Sequence, residues 1–82
     1  MTTIYQIQIT SFDNNNNITS NQILDTQFNS LDSCNYKIMD YAEVYRKTSN
    51  HIIHNPGQSV AFFKNYRMEF TRLPSSNTLE NF

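Results

Sequence analysis

The 82-residue chain has six basic and seven acidic residues, a formal net charge of −1, and a length that suits one domain. Duplex nucleic acid and anionic membranes are therefore poor candidate partners, because proteins that bind them usually carry a basic excess. A chain of this size buries only about 60% of its unfolded surface. Six Phe and five Tyr are enough for one thin core, but not for a core with a deep substrate cavity.

Asparagine takes much of the turn-forming role that glycine has in most chains. The only glycine is Gly57, whereas Asn14 to Asn17 form an unbroken run. Asn tolerates the left-handed backbone region and bonds its own chain, so it can form turns that usually need Gly. A surface that is polar through amides rather than charges suits a small soluble module that binds by close contact.

The N-terminal segment predicts a strand followed by a loop. Residues Thr3 to Thr10 alternate, with Tyr5, Ile7 and Ile9 on one face, which is typical of a strand with one buried side. Residues Ser11 to Ser20 surround the Asn run and have little to bury, so we expect an exposed loop.

The next segment favours a helix that begins at Asn21 after a Ser20 cap. Its apolar residues fall on one helical stripe: Ile23, Leu24, Phe28 and Leu31. A strand over residues 23–31 is the alternative, so the pattern leaves open whether residues 21–32 are helix or strand.

The middle of the chain predicts a short strand and a second helix. Cys34, Tyr36 and Ile38 alternate with polar or flexible residues, as in a strand. Asp40 then suits a helix cap, and Asn55-Pro56-Gly57 ends the helix because a residue before Pro avoids helical geometry. The apolar spacing of three and four within this helix comes from Tyr41, Val44, Tyr45, Thr48 and Ile52.

The C-terminal part predicts a hairpin of Ser59 to Phe63 and Tyr66 to Leu73. Its turn is Lys64-Asn65, where Asn65 supplies the positive φ that a tight hairpin turn needs. One face carries Ala61, Phe63, Tyr66, Met68 and Phe70, and the other carries Val60, Phe62, Arg67, Glu69 and Thr71.

Together these elements predict an α+β fold: a small single domain with an N-terminal strand, one or two helices and a C-terminal β-hairpin in one sheet. We expect residues 1–74 to form this domain and residues 75–82 to form a C-terminal tail. Without a basic and apolar leader or a membrane-length apolar run, we expect a cytoplasmic protein.

The residues capable of chemistry do not form a catalytic or metal-binding pattern. Cys34 is the only cysteine, which favours a structural thiol. His51 and His54 are three apart on the predicted helix, but further zinc ligands are lacking, so we interpret them as ordinary last-turn residues. We therefore expect no enzyme activity, no catalytic residues, no metal and no cofactor.

The surplus of aromatic residues favours a protein-binding module, such as a small adaptor, linker or inhibitor. Interfaces are enriched in aromatic residues and Arg, and we predict Phe62, Arg67 and Tyr45 as partner-binding residues. The partner is then another protein or a second copy of the chain, and the last strand is a candidate sheet edge for strand addition. Because aromatics and cations interleave over residues 62–70, single-stranded nucleic-acid binding by the same hairpin is the alternative.

The predicted order of strand, loop, strand, helix and closing strand resembles the small linker domains of phycobilisomes. Those domains typically have a Val-Pro-aromatic turn and a Gly-Gly pair, where this chain has Met39-Asp40-Tyr41 and Pro56-Gly57. The resemblance implies a non-catalytic linker role. A small chain with low charge is equally compatible with a phage-encoded inhibitor.

Overall fold

A computed structural model describes residues 3–74, in which five antiparallel strands form one sheet and one helix packs against one face. The elements in chain order are β1 (Tyr5–Asp13), β2 (Ile18–Ile23), α1 (Leu31–Glu43), β3 (His51–Asn55), β4 (Gln58–Phe62) and β5 (Tyr66–Pro74). The strands lie in the spatial order β2-β1-β5-β4-β3. The predicted α+β class is confirmed, and the predicted tail at residues 75–82 lies outside the described residues.

The first strand forms as predicted but continues three residues further than expected. Ile7 is fully buried on the face that α1 covers, in agreement with the alternation of β1. The predicted loop over residues 11–20 is wrong, because β1 runs to Asp13 and only the Asn run forms the turn. The Asp13 carboxylate accepts hydrogen bonds from the backbone N–H groups of Asn15 and Asn17 at 2.8 and 2.9 Å. Asn16 takes φ 65°, the glycine-like conformation expected of an asparagine in this chain.

The predicted helix after Ser20 is wrong, and so is the alternative strand over residues 23–31. Residues 21–23 instead form the end of β2, which pairs antiparallel with β1 in the register Thr10↔Asn21. Of the predicted apolar stripe only Ile23 lies in β2, where it is exposed. Leu24 and Phe28 pack against the core from the segment after β2, in which Phe28 pairs with Tyr5 of β1. The edge of β1 offers backbone N–H and C=O groups as hydrogen-bond partners, and pairing with them favours a strand over a helix.

The predicted strand over residues 34–38 is also wrong, because these residues lie within α1. Ser30 caps the helix, and its side-chain oxygen accepts a hydrogen bond from the Ser33 backbone N–H at 3.3 Å. Cys34, Ile38 and Ala42 recur every four residues and form the buried face of α1. All three fit a two-residue period as well as a helical one. Tyr36 decides between them, because a strand would place it on the buried face with Cys34, whereas it is 69% exposed.

The second predicted helix, capped by Asp40, is wrong because α1 already includes Asp40 and ends at Glu43. Residues 51–55 form β3, in which Ile52 pairs with Ala61 on the core side. Pairing with β4 gives the backbone of β3 its hydrogen-bond partners and buries Ile52 in part. His51 and His54 are therefore strand residues rather than last-turn helix residues.

The C-terminal hairpin is confirmed, with Ala61 paired to Met68 and Phe62 paired to Arg67. Asn65 does not take positive φ, since within residues 3–74 only Asn16 and Gly57 do so. The expectation that the last strand is a sheet edge is wrong. β5 lies at the centre of the sheet between β1 and β4, and the edges are β2 and β3.

The core lies between α1 and one face of the sheet. Phe70 is its largest fully buried side chain, at 1% exposure. The other buried members of this cluster are Ile7, Cys34, Ile38, Ala42 and Ala61. This single layer of contacts leaves the opposite side of the sheet without a helix in residues 3–74, and we call that side the open face.

Candidate functional site

One row of side chains crosses four strands on the open face. Phe12 of β1 pairs in register with Arg67 of β5, and Arg67 pairs with Phe62 of β4. Phe62 in turn pairs with His51 of β3. Side chains that pair directly across strands point to the same face of a sheet. Phe12, Arg67, Phe62 and His51 therefore form one continuous line, which we call the planar row.

The planar row consists of two pairs of side chains in face-to-face contact. The Phe62 and His51 rings are nearly parallel, with 4.6 Å between centroids and 11° between planes. The Arg67 guanidinium carbon lies 4.1 Å from the centroid of the Phe12 ring, in cation–π contact. These contacts hold the row in a fixed arrangement, while Phe12, Phe62 and Arg67 remain partly exposed and His51 is exposed.

Arg67 is held by two further partners. Its Nε donates to the Glu69 carboxylate at 2.9 Å, and its Nη1 donates to the Asn16 side-chain oxygen at 2.8 Å. The second contact links the planar row to the turn of the Asn run. Asp13 stabilises that turn, and the N–H groups of Asn17 and Asn15 hold the pKa of the Asp13 carboxyl below its usual value.

Two of the three predicted partner-binding residues come together in this row. Phe62 and Arg67 lie directly opposite each other on the open face. Tyr45 does not join them, because it lies on the α1 side of the sheet. There its ring contacts Phe63 edge-on, with centroids 5.8 Å apart, and tilts against Phe70 with centroids 6.1 Å apart.

Sequence reasoning missed the two outer members of the row, Phe12 and His51. Phe12 extends the two-residue period of Gln8 and Thr10, so a longer first strand was readable from the alternation. His51 has no comparable signal, because the spacing before it also fits a helix. Its place in the row became visible only through the pairing of β3 with β4.

A second cluster of polar side chains lies on the α1 side, around His54. The His54 Nδ1 lies 2.6 Å from the Ser59 hydroxyl, and its Nε2 lies 2.6 Å from the Glu43 carboxylate. The set contains a hydroxyl, an imidazole and a carboxylate, the three groups of a nucleophilic triad. Ser59 is fully buried, however, so its hydroxyl does not face a substrate. The cluster instead ties the end of α1 to β3 and β4.

Glu43 also pairs with Arg46, whose Nε donates to Glu43 Oε1 at 2.9 Å. The hydrogen bond from Arg46, followed in size by the one from His54, lowers the pKa of Glu43 from its ordinary 4.5 to about 2. Because folding lowers this pKa, the stabilisation is fully present above about pH 4.5 and is lost as the pH falls toward 2.

Glu43→Gln is therefore expected to lower the thermal midpoint at pH 6, with the difference from the wild type shrinking between pH 4.5 and pH 2. Thermal denaturation followed by circular dichroism at each pH measures this difference. Arg46→Gln is the matched control, and it should shift the acid-sensitive range upward because it removes the largest cause of the lowered pKa. If the thermal midpoints of the wild type and Glu43→Gln differ by the same amount down to pH 2, the charge of Glu43 is not the source of the stabilisation.

The structure separates the remaining candidate chemical groups. Residues three apart on a strand face opposite sides, so His51 lies on the open face and His54 on the other, and they cannot share a metal. No group of three or more His, Cys, Asp or Glu residues within residues 3–74 is arranged to hold a metal ion. Cys34 is fully buried, and burial raises the pKa of its thiol despite the opposing charge of Arg72.

Two shallow depressions lie outside the core. A groove of about 370 Å³ runs between α1 and the β3–β4 turn, and its walls include Tyr36, Met39 and Pro56. A smaller hollow of about 160 Å³ lies beside Phe62 and Arg67 at one end of the planar row. This hollow is smaller than the range of about 300–1,000 Å³ typical of small-molecule sites, so it suits one side chain of a partner.

No helix in residues 3–74 is long and apolar enough to cross a membrane. Comparison of the chain with protein-family models, curated proteins and solved structures finds no match. The order of strand, loop, strand and helix that resembled the phycobilisome linkers is present, but different residues form it: the second strand is β2, residues 34–38 belong to α1, and three strands follow the helix.

Proposed function

We propose that this chain is a non-catalytic protein-binding module that contacts its partner through the open face, with the planar row at the centre of the contact. The observation that supports this most is the partly exposed pairing of Arg67 with Phe12 and Phe62 on a face without a helix in residues 3–74. Arg and aromatic residues dominate binding hot spots. Because the row is already ordered by stacking, a partner immobilises few new side chains on binding.

The same features favour a protein over single-stranded nucleic acid. Bases stack on free ring faces, but one face of Phe12 is taken by Arg67 and one face of Phe62 by His51. Glu69 offsets the charge of Arg67. Arg72 points away from the open face, toward α1, where it donates to Asn35 at 2.8 Å. The row thus lacks the group of free cations that a phosphate backbone requires.

The test is a binding comparison among face variants. Wild-type chain, Phe62→Ala, Arg67→Ala and Tyr36→Ala are immobilised in parallel and exposed to extract from the source organism. Tyr36 is the matched control, because it is an aromatic residue that is 69% exposed on α1 rather than on the open face. A specific partner should be retained by the wild type and Tyr36→Ala and lost from both open-face variants.

With the purified partner, each open-face variant should weaken binding by about 30-fold, the equivalent of about 2 kcal/mol. Affinity should change little between about 50 mM and 200 mM salt, whereas nucleic-acid binding would weaken steeply over that range. Loss of binding in Tyr36→Ala instead, or tight and salt-sensitive binding of an oligonucleotide, overturns the proposal.

A further inference from the structure

The edge strand β2 is exposed in every direction except toward β1. All six of its residues are exposed, including Ile18 at 61% and Ile23 at 50%. Among the helices and strands of residues 3–74, β2 contacts only β1, so neither of its faces is covered by α1. An incoming strand would therefore meet no helix or strand of residues 3–74 above or below this part of the sheet.

The outer side of β2 carries backbone groups that have no backbone partner within the described residues 3–74. Leu24, just beyond the strand, donates its N–H to the Ile7 carbonyl of β1 at 2.9 Å. Backbone groups alternate in direction along an antiparallel strand, so Gln22 and Ser20 also face β1. Asn21 and Ile23 then direct their N–H and C=O groups away from the sheet. These groups form a template for one more strand.

The strand has one of the usual protections of a sheet edge, a β-bulge near its start, where Thr19 has no partner in β1. From Ser20 to Ile23 it pairs regularly with β1, and β2 has no charged residue and no proline. The opposite edge, β3, differs, because α1 packs against it and Pro56 follows its last residue. The β2 edge is therefore the one more open to pairing.

The residues of β2 fit a second copy of the same strand. Ile18 and Ile23 stand at the two ends, and four uncharged polar residues lie between them. In an antiparallel ladder centred on Asn21, Asn21 lies opposite its own copy and Ser20 lies opposite Gln22. The central positions therefore pair polar residues with polar residues, and Ile23 lies opposite Thr19 at each end. With no charge in the strand and a net charge of −1 for the chain, repulsion between copies is small.

We propose that two copies of this chain associate through antiparallel pairing of β2 with β2, about a two-fold axis near Asn21. The result is one continuous ten-stranded sheet, since each copy contributes five strands. An axis perpendicular to the sheet keeps both open faces on the same side. The dimer then presents two planar rows on one surface, and this inference stands independently of what the rows bind.

Lysine substitutions test the edge directly. In a ladder centred on Asn21, Ser20 of one copy lies opposite Gln22 of the other, so Ser20→Lys with Gln22→Lys places like charges together. Thr26→Lys with Gln27→Lys is the matched control, because it adds the same charge at exposed positions beyond β2. Sedimentation equilibrium over a dilution series up to about 1 mM measures association, which is expected to be weak for so small an interface.

The wild type and the control pair, Thr26→Lys with Gln27→Lys, should dimerise as concentration rises. The edge pair, Ser20→Lys with Gln22→Lys, should remain monomeric with its thermal midpoint unchanged. Amide hydrogen exchange locates the contact: exchange at Asn21 and Ile23 should slow with concentration, while Ser20 and Gln22 stay protected throughout. A monomeric wild type up to about 1 mM overturns the proposal. Association that persists in the edge pair, with exchange at Asn21 and Ile23 unchanged, also overturns it.

Discussion

Phe70→Ala is expected to lower the free energy of unfolding by about 3–5 kcal/mol. Phe70 is 1% exposed, lies in the central strand and contacts the Tyr45 ring. Alanine would leave a cavity between β5 and α1 that this thin core cannot fill. A domain of this length has a total stability of roughly 4–12 kcal/mol, so the variant should lose a large part of it.

Urea denaturation of Phe70→Ala and Phe62→Ala side by side measures this effect. Phe62 is the matched control, because it lies in the same hairpin but on the open face, where it is partly exposed. Its replacement should cost about 1 kcal/mol, mainly the stacking with His51. Equal losses for the two variants would mean that the open face is packed as tightly as the core.

The hairpin shows why some of this fold was predictable from the sequence. Between Ser59 and Leu73 the two-residue period is consistent with only one kind of element. The register of that hairpin placed Phe62 opposite Arg67, so the centre of the candidate site was predictable as well. Local pattern was sufficient there, because both strands and their turn are adjacent in sequence.

The middle of the chain was not predictable in the same way, since its patterns fit two periods. The spacing of the buried residues of α1 satisfies both a strand and a helix. Tyr36 favours the helix, because a strand would bury it on the same face as Cys34, whereas it is 69% exposed. β2 has no buried residue at all, so its conformation is decided by the edge of β1 rather than by its own sequence. His51 likewise joins the planar row only because β3 pairs with β4, which the sequence around His51 does not indicate.

Gly57→Ala is expected to cost about 2–3 kcal/mol, because two separate effects oppose a side chain at this position. Gly57 is the buried turn residue between β3 and β4 and takes φ 80°, which L-residues with a Cβ atom rarely adopt. A Cβ atom there would also lie 3.0 Å from the Arg72 guanidinium carbon. That guanidinium is fixed by its bond to Asn35 of α1, so moving it would weaken the link between helix and sheet.

A double-mutant cycle with Arg72→Ala separates the two effects. If backbone strain dominates, Gly57→Ala should still cost about 1–2 kcal/mol in the Arg72→Ala background, because the strain of a left-handed residue does not depend on Arg72. If the contact with Arg72 dominates, the cost should nearly vanish in that background. Gly57→Asn is the matched control: Asn tolerates positive φ but brings the same Cβ, so it retains the contact and reduces the strain. We expect Asn to be better tolerated than Ala, as it already is at Asn16, and equal costs for Asn and Ala would assign the glycine requirement to the contact with Arg72 alone.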